Sequence, residues 1–466
     1  MTTQEFTQED RFEIGGEKVV AFAESIVDAQ VGEAATAHAK CASASLDDLR
    51  VHIGTLLKTE NVSFLLGAGT SVNCGGLLIG SVPLPIERRL HDAGFRGNEQ
   101  PRIRRWLKAF YLAVRSAGGD DTVPISRDQI IERQGVLAGG GGEPLRANFE
   151  HVLTILFRWR SALPESGGRL KIEGSPSVDV KSEDLDDAIK HASLALASNC
   201  ELPTTEKKDR LADHKTLLRK LLTRPLNLKR TNIFTLNYDT LIEQAADGEG
   251  VVLLDGFVGT QRRVFRPESY EQDLYFPAET TEGRVHRFDR VLHLYKLHGS
   301  ITWIANKPTM DDPYGVQAVP FKSDAARSLL IFPAPTKYGE TLSMPYSELF
   351  RRFAGVVTRP QSVLFVIGYG FGDEHVNTII RQALAVPSFM LIIVDPNPQS
   401  EFVARLRAQK DRRVWIAEGP KLGTLAGFVE HVLPDLRDEE IRKKVLATHR
   451  ALARSAVPEG NQADED

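Results

Sequence analysis

Two polar residues, Asn237 and His298, each follow a mostly apolar run and are candidates for chemistry. The imidazole pKa lies near neutrality, so a histidine on a turn that opens into a cleft is suited to proton transfer. Asn237 is uncharged, and its burial would require hydrogen-bond partners. Both residues also have structural interpretations, His298 as an ordinary strand-end histidine and Asn237 as the start of an Asx turn.

Glycine-rich turns indicate a second kind of chemistry, the binding of a pyrophosphate. The first such turn is Gly67-Ala68-Gly69-Thr70-Ser71. Glycines let the backbone approach a phosphate closely, a following helix presents N–H groups, and Ser71 offers a hydroxyl. The same turn is also compatible with tight packing alone. In a later turn, we expect Gly368 and Gly370 to line a pocket with their backbone only.

Three aspartates follow apolar runs. Asp395 could accept hydrogen bonds from ribose hydroxyls, or it could be a turn residue before Pro396. Asp239 and Asp373 each precede a helical pattern, which favours helix N-caps over catalytic acids.

An alternation of short apolar strands and amphipathic helices must position these residues. The apolar runs occupy residues 62–66, 233–236, 291–297, 363–367 and 391–394. This order predicts an α/β fold with a doubly wound, mostly parallel Rossmann-like sheet. Ligands bind at the carboxyl ends of such strands, where we expect five polar or glycine-rich loops to converge.

The remaining segments are predicted to be helical. Residues 92–230 contain helical spacing broken by glycine and proline loops, which predicts a large helical insertion into an α/β domain spanning 55–420. Residues 1–54 are predicted as an N-terminal helical segment. Residues 421–466 are predicted as a C-terminal helical segment with a disordered polar tail.

Composition limits the remaining possibilities. The three cysteines, Cys41, Cys74 and Cys200, form no pair with zinc-ligand spacing, so no metal is expected. Their sparseness and the polar first ten residues favour the cytoplasm. No apolar run reaches bilayer length, so no membrane partner is expected. A formal net charge of -4 gives no global argument for nucleic acid, and local basic clusters are better explained as solvated surfaces.

Taken in order, these motifs resemble the sirtuin-like (Sir2-like) superfamily over about residues 55–420. The first glycine turn is similar to the family's phosphate loop, residues 235–239 to its NAD-contacting Asn and Asp segment, and residues 297–299 to its catalytic His segment. The resemblance implies Asn237 and His298 as catalytic residues. It implies as NAD-binding residues Gly67, Ala68, Gly69, Ser71, Asp239, Gly368, Tyr369 and Asp395.

Two departures from the family matter. The paired cysteines of the deacylase zinc module are missing, and the family's Gly-Ile-Pro-Asp-Phe-Arg stretch is replaced by residues 74–85. The helical insertion, which includes Asn148-Phe149-Glu150-His151, is similar to that of bacterial sirtuin-like proteins of antiphage defence. That branch implies an NAD glycohydrolase that cleaves NAD to nicotinamide and ADP-ribose.

In this interpretation Asn237 positions the ribose or the attacking water, His298 is a general base, and Asp239 supports its loop. The alternatives are an NAD-dependent protein deacylase and a nucleotide-binding regulatory subunit of a larger complex. The family resemblance also makes a homo-oligomer and a HerA-type ATPase or another defence partner plausible.

Overall fold

The computed structural model describes residues 10–21, 34–78, 80–96, 102–120, 122–164, 166–172, 178–202, 210–276, 286–320, 328–330 and 344–437. Side chains are described within these ranges except at 19–21, 34–45, 96, 102, 178 and 328–330. Most of the predicted C-terminal segment, residues 438–466, therefore lies outside the described residues. No helix among the described residues is long and apolar enough to cross a membrane.

Strands and helices alternate through most of the described chain. The strands are β1 (Arg11–Ile14), β2 (Glu17–Ala21), β3 (Asn61–Leu66), β4 (Phe95–Arg96), β5 (Arg102–Ile103), β6 (Arg169–Ile172), β7 (Val178–Lys181), β8 (Asn232–Thr235), β9 (Val252–Leu254), β10 (Phe257–Val258), β11 (Arg263–Phe265), β12 (Val291–Lys296), β13 (Gly299–Ala305), β14 (Val316–Ala318), β15 (Ser328–Leu330), β16 (Ser362–Ile367), β17 (Met390–Val394) and β18 (Val414–Glu418). The α-helices are α1 (Ala34–Leu57), α2 (Leu84–Gly94), α3 (Arg105–Ser116), α4 (Arg127–Ala138), α5 (Phe149–Ser161), α6 (Ser182–Cys200), α7 (Ala212–Leu221), α8 (Leu241–Glu249), α9 (Tyr346–Val357), α10 (Glu374–Leu384), α11 (Glu401–Gln409) and α12 (Leu425–Gly427).

A nine-stranded sheet forms the centre of the α/β part, in the order β2-β1-β18-β17-β16-β3-β8-β12-β9. Every pairing from β18 to β9 is parallel. Strands β3 and β16 are buried at all six positions, as expected for parallel strands covered on both faces. The predicted doubly wound, mostly parallel sheet is therefore confirmed.

Two hydrophobic cores cover the sheet because successive side chains of a strand point to opposite faces. Phe64 of β3 packs on one face with Phe365 of β16, at a ring-centroid distance of 4.6 Å, and with helices α1, α7 and α8. Leu65 and Leu364 belong to the opposite core, with helices α9, α10 and α11. Strand alternation thus fixes which helices lie on which side.

A third core belongs to the insertion. Side chains from helices α2 to α6 pack together, and this core also includes Tyr238 and Ile301 from the α/β part. Helix α7 lies within the predicted insertion but packs on the core of the central sheet with α8. The helical insertion is therefore tied to the loop that follows β8.

The sequence-based assignment missed several strands. The N-terminal segment predicted as helical contains the hairpin β1 and β2 before α1, so that prediction is wrong at residues 11–21. Strand β1 pairs with β18 and extends the central sheet. A second, antiparallel sheet in the order β10-β11-β14-β13-β15 was also missed, because all of its strands except β13 have only two or three residues and carry too little periodicity.

Two glycine loops touch at the carboxyl ends of the adjacent strands β3 and β16. We name residues 67–71 the first glycine loop and residues 368–373 the second glycine loop. A Cβ added at Gly67 would lie 2.5 Å from the Gly368 carbonyl oxygen and 2.6 Å from the Tyr369 Cα. Gly368 has a φ of +64°, and a Cβ there would meet the Thr70 nitrogen at 2.7 Å. Only residues without a side chain permit this backbone contact.

We expect Gly67→Ala to lower the free energy of unfolding by about 1–3 kcal/mol, since the obstructing atoms are backbone and cannot move aside cheaply. Gly370→Ala is the matched control, because a Cβ at Gly370 meets nothing within 4 Å. Thermal unfolding of both variants measures the difference. Equal melting temperatures would show that the loop contact is unimportant for stability.

His293 on β12 makes the fold sensitive to acid. Its Nδ1–H donates to Asn232 Oδ1 at 3.2 Å, while its buried Nε2 has no hydrogen-bond partner among the described residues. Burial lowers the pKa of His293 to about 4 from a usual 6.5. The unfolded chain therefore binds the additional proton first as the pH falls, so stability is lost between about pH 6.5 and pH 4.

We expect His293→Asn, which keeps a donor near the Nδ1 position, to reduce this loss by up to about 2 kcal/mol between pH 7.5 and pH 5. Urea unfolding at the two pH values measures it. His52→Asn, on the exposed surface of α1, is the control. If the wild type and His293→Asn lose stability in parallel, His293 is not the sensor.

Candidate functional site

A cavity of about 360 Å³ lies at the carboxyl ends of four strands, β3, β8, β12 and β16. This size falls in the range of small-molecule and cofactor sites. Loop residues after each strand line it, and helices α5 and α6 of the insertion supply further walls. The cavity is therefore built where a parallel sheet is expected to bind ligands.

Most of the residues predicted from sequence line this one cavity, namely Gly67, Ala68, Ser71, Asn237, Asp239, His298, Gly368 and Tyr369. Two predicted residues do not. Gly69 instead packs against Gly368, where an added Cβ would approach the Gly368 Cα to 2.7 Å. Asp395 follows β17, and its Oδ1 accepts a hydrogen bond from the Asn397 N–H at 2.8 Å, as a turn residue does.

Asn237 holds the first glycine loop. Its Nδ2 lies 3.0 Å from the Gly67 carbonyl oxygen, 3.1 Å from Thr70 Oγ1 and 3.0 Å from Ser71 Oγ. The two amide protons are thus shared among three acceptors of one turn. Asn237 consequently fixes the loop after β3 relative to the loop after β8.

Asp239 adds a second link between the same loops. Ser71 Oγ donates to Asp239 Oδ2 at 2.6 Å, and Asp239 Oδ1 accepts from the Leu241 N–H at 3.1 Å, capping α8. Buried Lys296 at the end of β12 donates to the Asp239 carbonyl oxygen and to Glu243 Oε1, the latter at 3.0 Å. Asp239 therefore joins its own loop to the first glycine loop, and Lys296 anchors the loop after β8 to the strand that precedes His298.

His298 forms a buried pair with Asp373 of the second glycine loop. Its Nε2 lies 3.0 Å from Asp373 Oδ2, and both side chains are less than a tenth exposed. A carboxylate only accepts hydrogen bonds, so Nε2 carries a proton, and in the neutral imidazole Nδ1 bears the lone pair. This tautomer gives His298 a nitrogen that can accept a proton.

Asp373 has two functions at once. Its Oδ1 accepts from the N–H groups of His375 and Val376, which makes it the N-cap of α10, while Oδ2 pairs with His298. The cap was predicted from sequence, but the contact with His298 was not, because it joins residues 75 positions apart. Three glycines and an aspartate before an amphipathic helix were the available signal.

The second glycine loop is held rigidly around Asp373. The Tyr369 hydroxyl accepts from the Asp373 N–H at 2.9 Å, and Asn377 Nδ2 donates to the Phe371 carbonyl oxygen at 2.9 Å. Phe371 has a φ of +56°, which is uncommon for a bulky residue, and its ring stacks on Phe402 with centroids 5.1 Å apart. Strain of this kind persists only where surrounding contacts fix it, and here it sets the direction of Asp373.

The first glycine loop uses much of its own hydrogen-bonding capacity. The N–H groups of Gly67, Gly69 and Thr70 donate to the carbonyl oxygens of Ile367, Gly368 and Gly67 at 2.9–3.0 Å. The first two donors join the loop to the end of β16 and to the second glycine loop, and the third closes a turn within the first glycine loop. Packing therefore explains the glycines at 67 and 69, and Gly67 lines the cavity together with Ala68 and Ser71.

The insertion supplies walls that sequence reasoning did not assign to the site. They come from the start of α5, with Asn148, Glu150 and His151, and from the end of α6, with Leu196, Asn199 and Cys200. Burial raises the pKa of the Cys200 thiol to about 12, so it remains protonated and apolar in character. Among the described residues, no group of three or more His, Cys, Asp or Glu side chains could hold a metal ion.

Comparison with known proteins adds a family match. The model of the SIR2-like domain family matches residues 231–416, the part that contains β8, β12, β16 and β17. None of the curated proteins compared with the chain matches it.

Solved structures give weaker likenesses. A Sir2 homologue mutant in complex with 2′-O-acetyl ADP ribose is 11% identical, with 82% of this chain and 95% of that chain covered and a TM-score of 0.32. A Sir2 homologue–NAD complex is 12% identical, with 82% and 93% covered and a TM-score of 0.30. TM-scores this low do not establish that these structures share the fold of this chain. The SIR2-like domain match over residues 231–416 contains Asn237, His298 and Asp373.

Proposed function

We propose that this protein is an NAD glycohydrolase, which cleaves NAD to nicotinamide and ADP-ribose. The observation that carries the proposal is the buried His298–Asp373 pair, which lines the same cavity as Asn237. The SIR2-like domain match supports NAD as the substrate class. The cavity also offers apolar walls and a small number of fixed polar groups, as ligand sites for organic molecules do.

The reaction breaks the bond between the ribose C1′ and the nicotinamide nitrogen, and the electron pair leaves with neutral nicotinamide. The ribose then has oxocarbenium character, and a water oxygen bonds to C1′. We assign to His298 the acceptance of the proton released by that water or by a ribose hydroxyl, through Nδ1. Asn237 positions the ribose or the water, while Asp239 supports the loop that carries Asn237.

The runner-up activity is NAD-dependent protein deacylation, which would use the same pocket with an acyl-peptide as the acceptor. With three separated cysteines, the chain cannot supply the four ligands of the deacylase zinc module. NAD alone separates the two activities, because a hydrolase releases nicotinamide without any acyl-peptide. A regulatory subunit that only binds a nucleotide would release no nicotinamide, whether or not an acyl-peptide is present.

The biological setting is part of the proposal. The resemblance of the helical insertion to that of bacterial defence proteins supports a role as an NAD-depleting effector against phage. A homo-oligomer and a HerA-type ATPase or another defence partner fit that role. Gel filtration of the protein alone and with the product of the neighbouring gene tests for such assemblies.

We expect purified protein to convert NAD to nicotinamide and ADP-ribose, and His298→Ala or Asn237→Ala to lower the rate by at least about a hundredfold, as for loss of a general base or a positioning group. Chromatographic product analysis, with and without the neighbouring gene's product, measures this. Circular dichroism of the Asn237 variant is needed because Asn237 also holds the first glycine loop. Undiminished turnover in both variants, or no turnover by the wild type in either condition, would contradict the proposal.

Asp373→Asn tests how His298 is held. The amide oxygen must stay at the Oδ1 position to cap α10, which places the NH₂ group opposite His298 Nε2 and forces the imidazole proton onto Nδ1. We expect kcat to fall by about 10²- to 10⁴-fold, as when a catalytic histidine has the wrong tautomer. KM and the melting temperature should change little, because the cap and the cavity walls remain.

Steady-state kinetics and thermal unfolding of this variant provide the test. Asp373→Ala, which also removes the cap, serves as the comparison and should lower the melting temperature as well. A kcat for Asp373→Asn within about threefold of the wild type would exclude a positioning role.

A further inference from the structure

The start of helix α5 places an acidic side chain in the cavity. Asn148 caps this helix, and its Oδ1 accepts from the N–H groups of Glu150 at 2.9 Å and His151 at 3.2 Å. The next residue, Phe149, is fully buried in the core of the insertion. With a cap before it and a buried anchor beside it, Glu150 has a fixed backbone position.

Glu150 shares the cavity with the residues assigned to the reaction. It lines the same space as His298 and Asp373, although it reaches that space from the insertion and not from a strand end. It is half-buried, and its own carbonyl oxygen accepts from Thr154 Oγ1 at 2.8 Å within α5. The carboxylate is thus carried on a rigid helical turn, where a catalytic group is held more accurately than on a loop.

The charge of Glu150 reaches both loops that border it. Burial and then Glu150 raise the pKa of Tyr238, which lies between Asn237 and Asp239. Burial, Asp373 and Glu150 likewise raise the pKa of Tyr369 in the second glycine loop. A negative charge on Glu150 therefore acts on two of the loops that line the cavity, the loop after β8 and the second glycine loop.

A carboxylate in this position matches a requirement of the proposed reaction. Positive charge develops at C1′ and the ring oxygen of the ribose as nicotinamide departs, and a fixed negative charge stabilises that state more than the ground state. His298 is assigned to proton transfer, and Asp373 is occupied in pairing with His298 and capping α10. Neither residue is therefore assigned to the ribose cation.

We propose that Glu150 is a catalytic residue that faces the nicotinamide ribose and stabilises its oxocarbenium-like transition state. This inference rests on the proposed NAD hydrolysis. No bond forms to the carboxylate: nicotinamide leaves with the electron pair of the broken bond, water adds to C1′, and its proton passes to His298. The helical insertion then completes the active site of the α/β domain.

A purely structural role of Glu150 in helix α5 must be distinguished from the proposed catalytic role. An acidic residue in the first turn of a helix stabilises the helix through the dipole, whatever it faces. Glu183 provides a matched control: it lies in the first turn of α6 in the same insertion, is exposed, and is not among the residues lining the cavity. Glu150→Gln and Glu183→Gln thus remove the same charge from equivalent helix positions.

The test is steady-state NAD hydrolysis by the whole chain, with product analysis and thermal unfolding of each variant. We expect Glu150→Gln to lower kcat by about a hundredfold or more with KM within about threefold, as for loss of transition-state stabilisation. Glu150→Asp, which keeps the charge, should recover at least about tenfold of that loss. Glu183→Gln should match the wild type in kcat.

The outcomes distinguish failure of the proposed role of Glu150 from failure of the proposed NAD hydrolysis. If the wild type hydrolyses NAD and Glu150→Gln keeps its kcat, the role of Glu150 is wrong and the proposed function stands. The role is also wrong if Glu150→Asp is as slow as Glu150→Gln, or if Glu183→Gln lowers kcat equally, because a helix effect then explains the loss. If the wild type releases no nicotinamide under any condition, the proposed function itself fails.

Discussion

The contact between Gly67 and Gly368 is the constraint on which the rest of the site depends. Strands β3 and β16 are neighbours in the sheet, and their loops meet backbone to backbone because neither glycine carries a side chain. That contact lets Asn237 reach across the first glycine loop, and it also sets where the second glycine loop begins. A larger residue at either position would separate the loop that orders Asn237 from the loop that carries Asp373.

Most polar side chains of the site are hydrogen-bonded to other groups of the site. Asn237 bonds to three acceptors, Ser71 to Asp239, and Asp373 to both α10 and His298. Such saturation fixes side-chain positions before any ligand arrives, which is the condition for electrostatic catalysis without reorganisation. It also explains why the glycines at 67 and 69 serve loop packing: their N–H groups are used within the protein, so a ligand must be recognised by other groups of the cavity.

Sequence reasoning succeeded where the signal is local and failed where it is tertiary. A strand such as β3 or β16 can be recognised as a short apolar run, and the residue after it then falls at the carboxyl edge of a parallel sheet. Asn237 and His298 were found in this way. Asp395 obeys the same local rule, yet β17 lies beyond β16 from the first glycine loop, and Asp395 does not line the cavity. The pairing of Asp373 with His298 has no local signature, because its N-cap position accounts fully for an aspartate in the sequence.

The insertion shows most clearly that tertiary packing determines which residues line the cavity. Helices α5 and α6 precede β8 in the chain and form their own core, yet that core includes Tyr238 and Ile301 from the α/β part. Tyr238 lies between Asn237 and Asp239, so the packing of the insertion and the geometry of the loop after β8 depend on the same side chain. Because Glu150 lies in the first turn of the helix that packs in this core, its position relative to His298 is set by hydrophobic contacts and not by the sheet. The cavity therefore depends both on the core of the insertion and on the packing of the central sheet, and neither part alone encloses it.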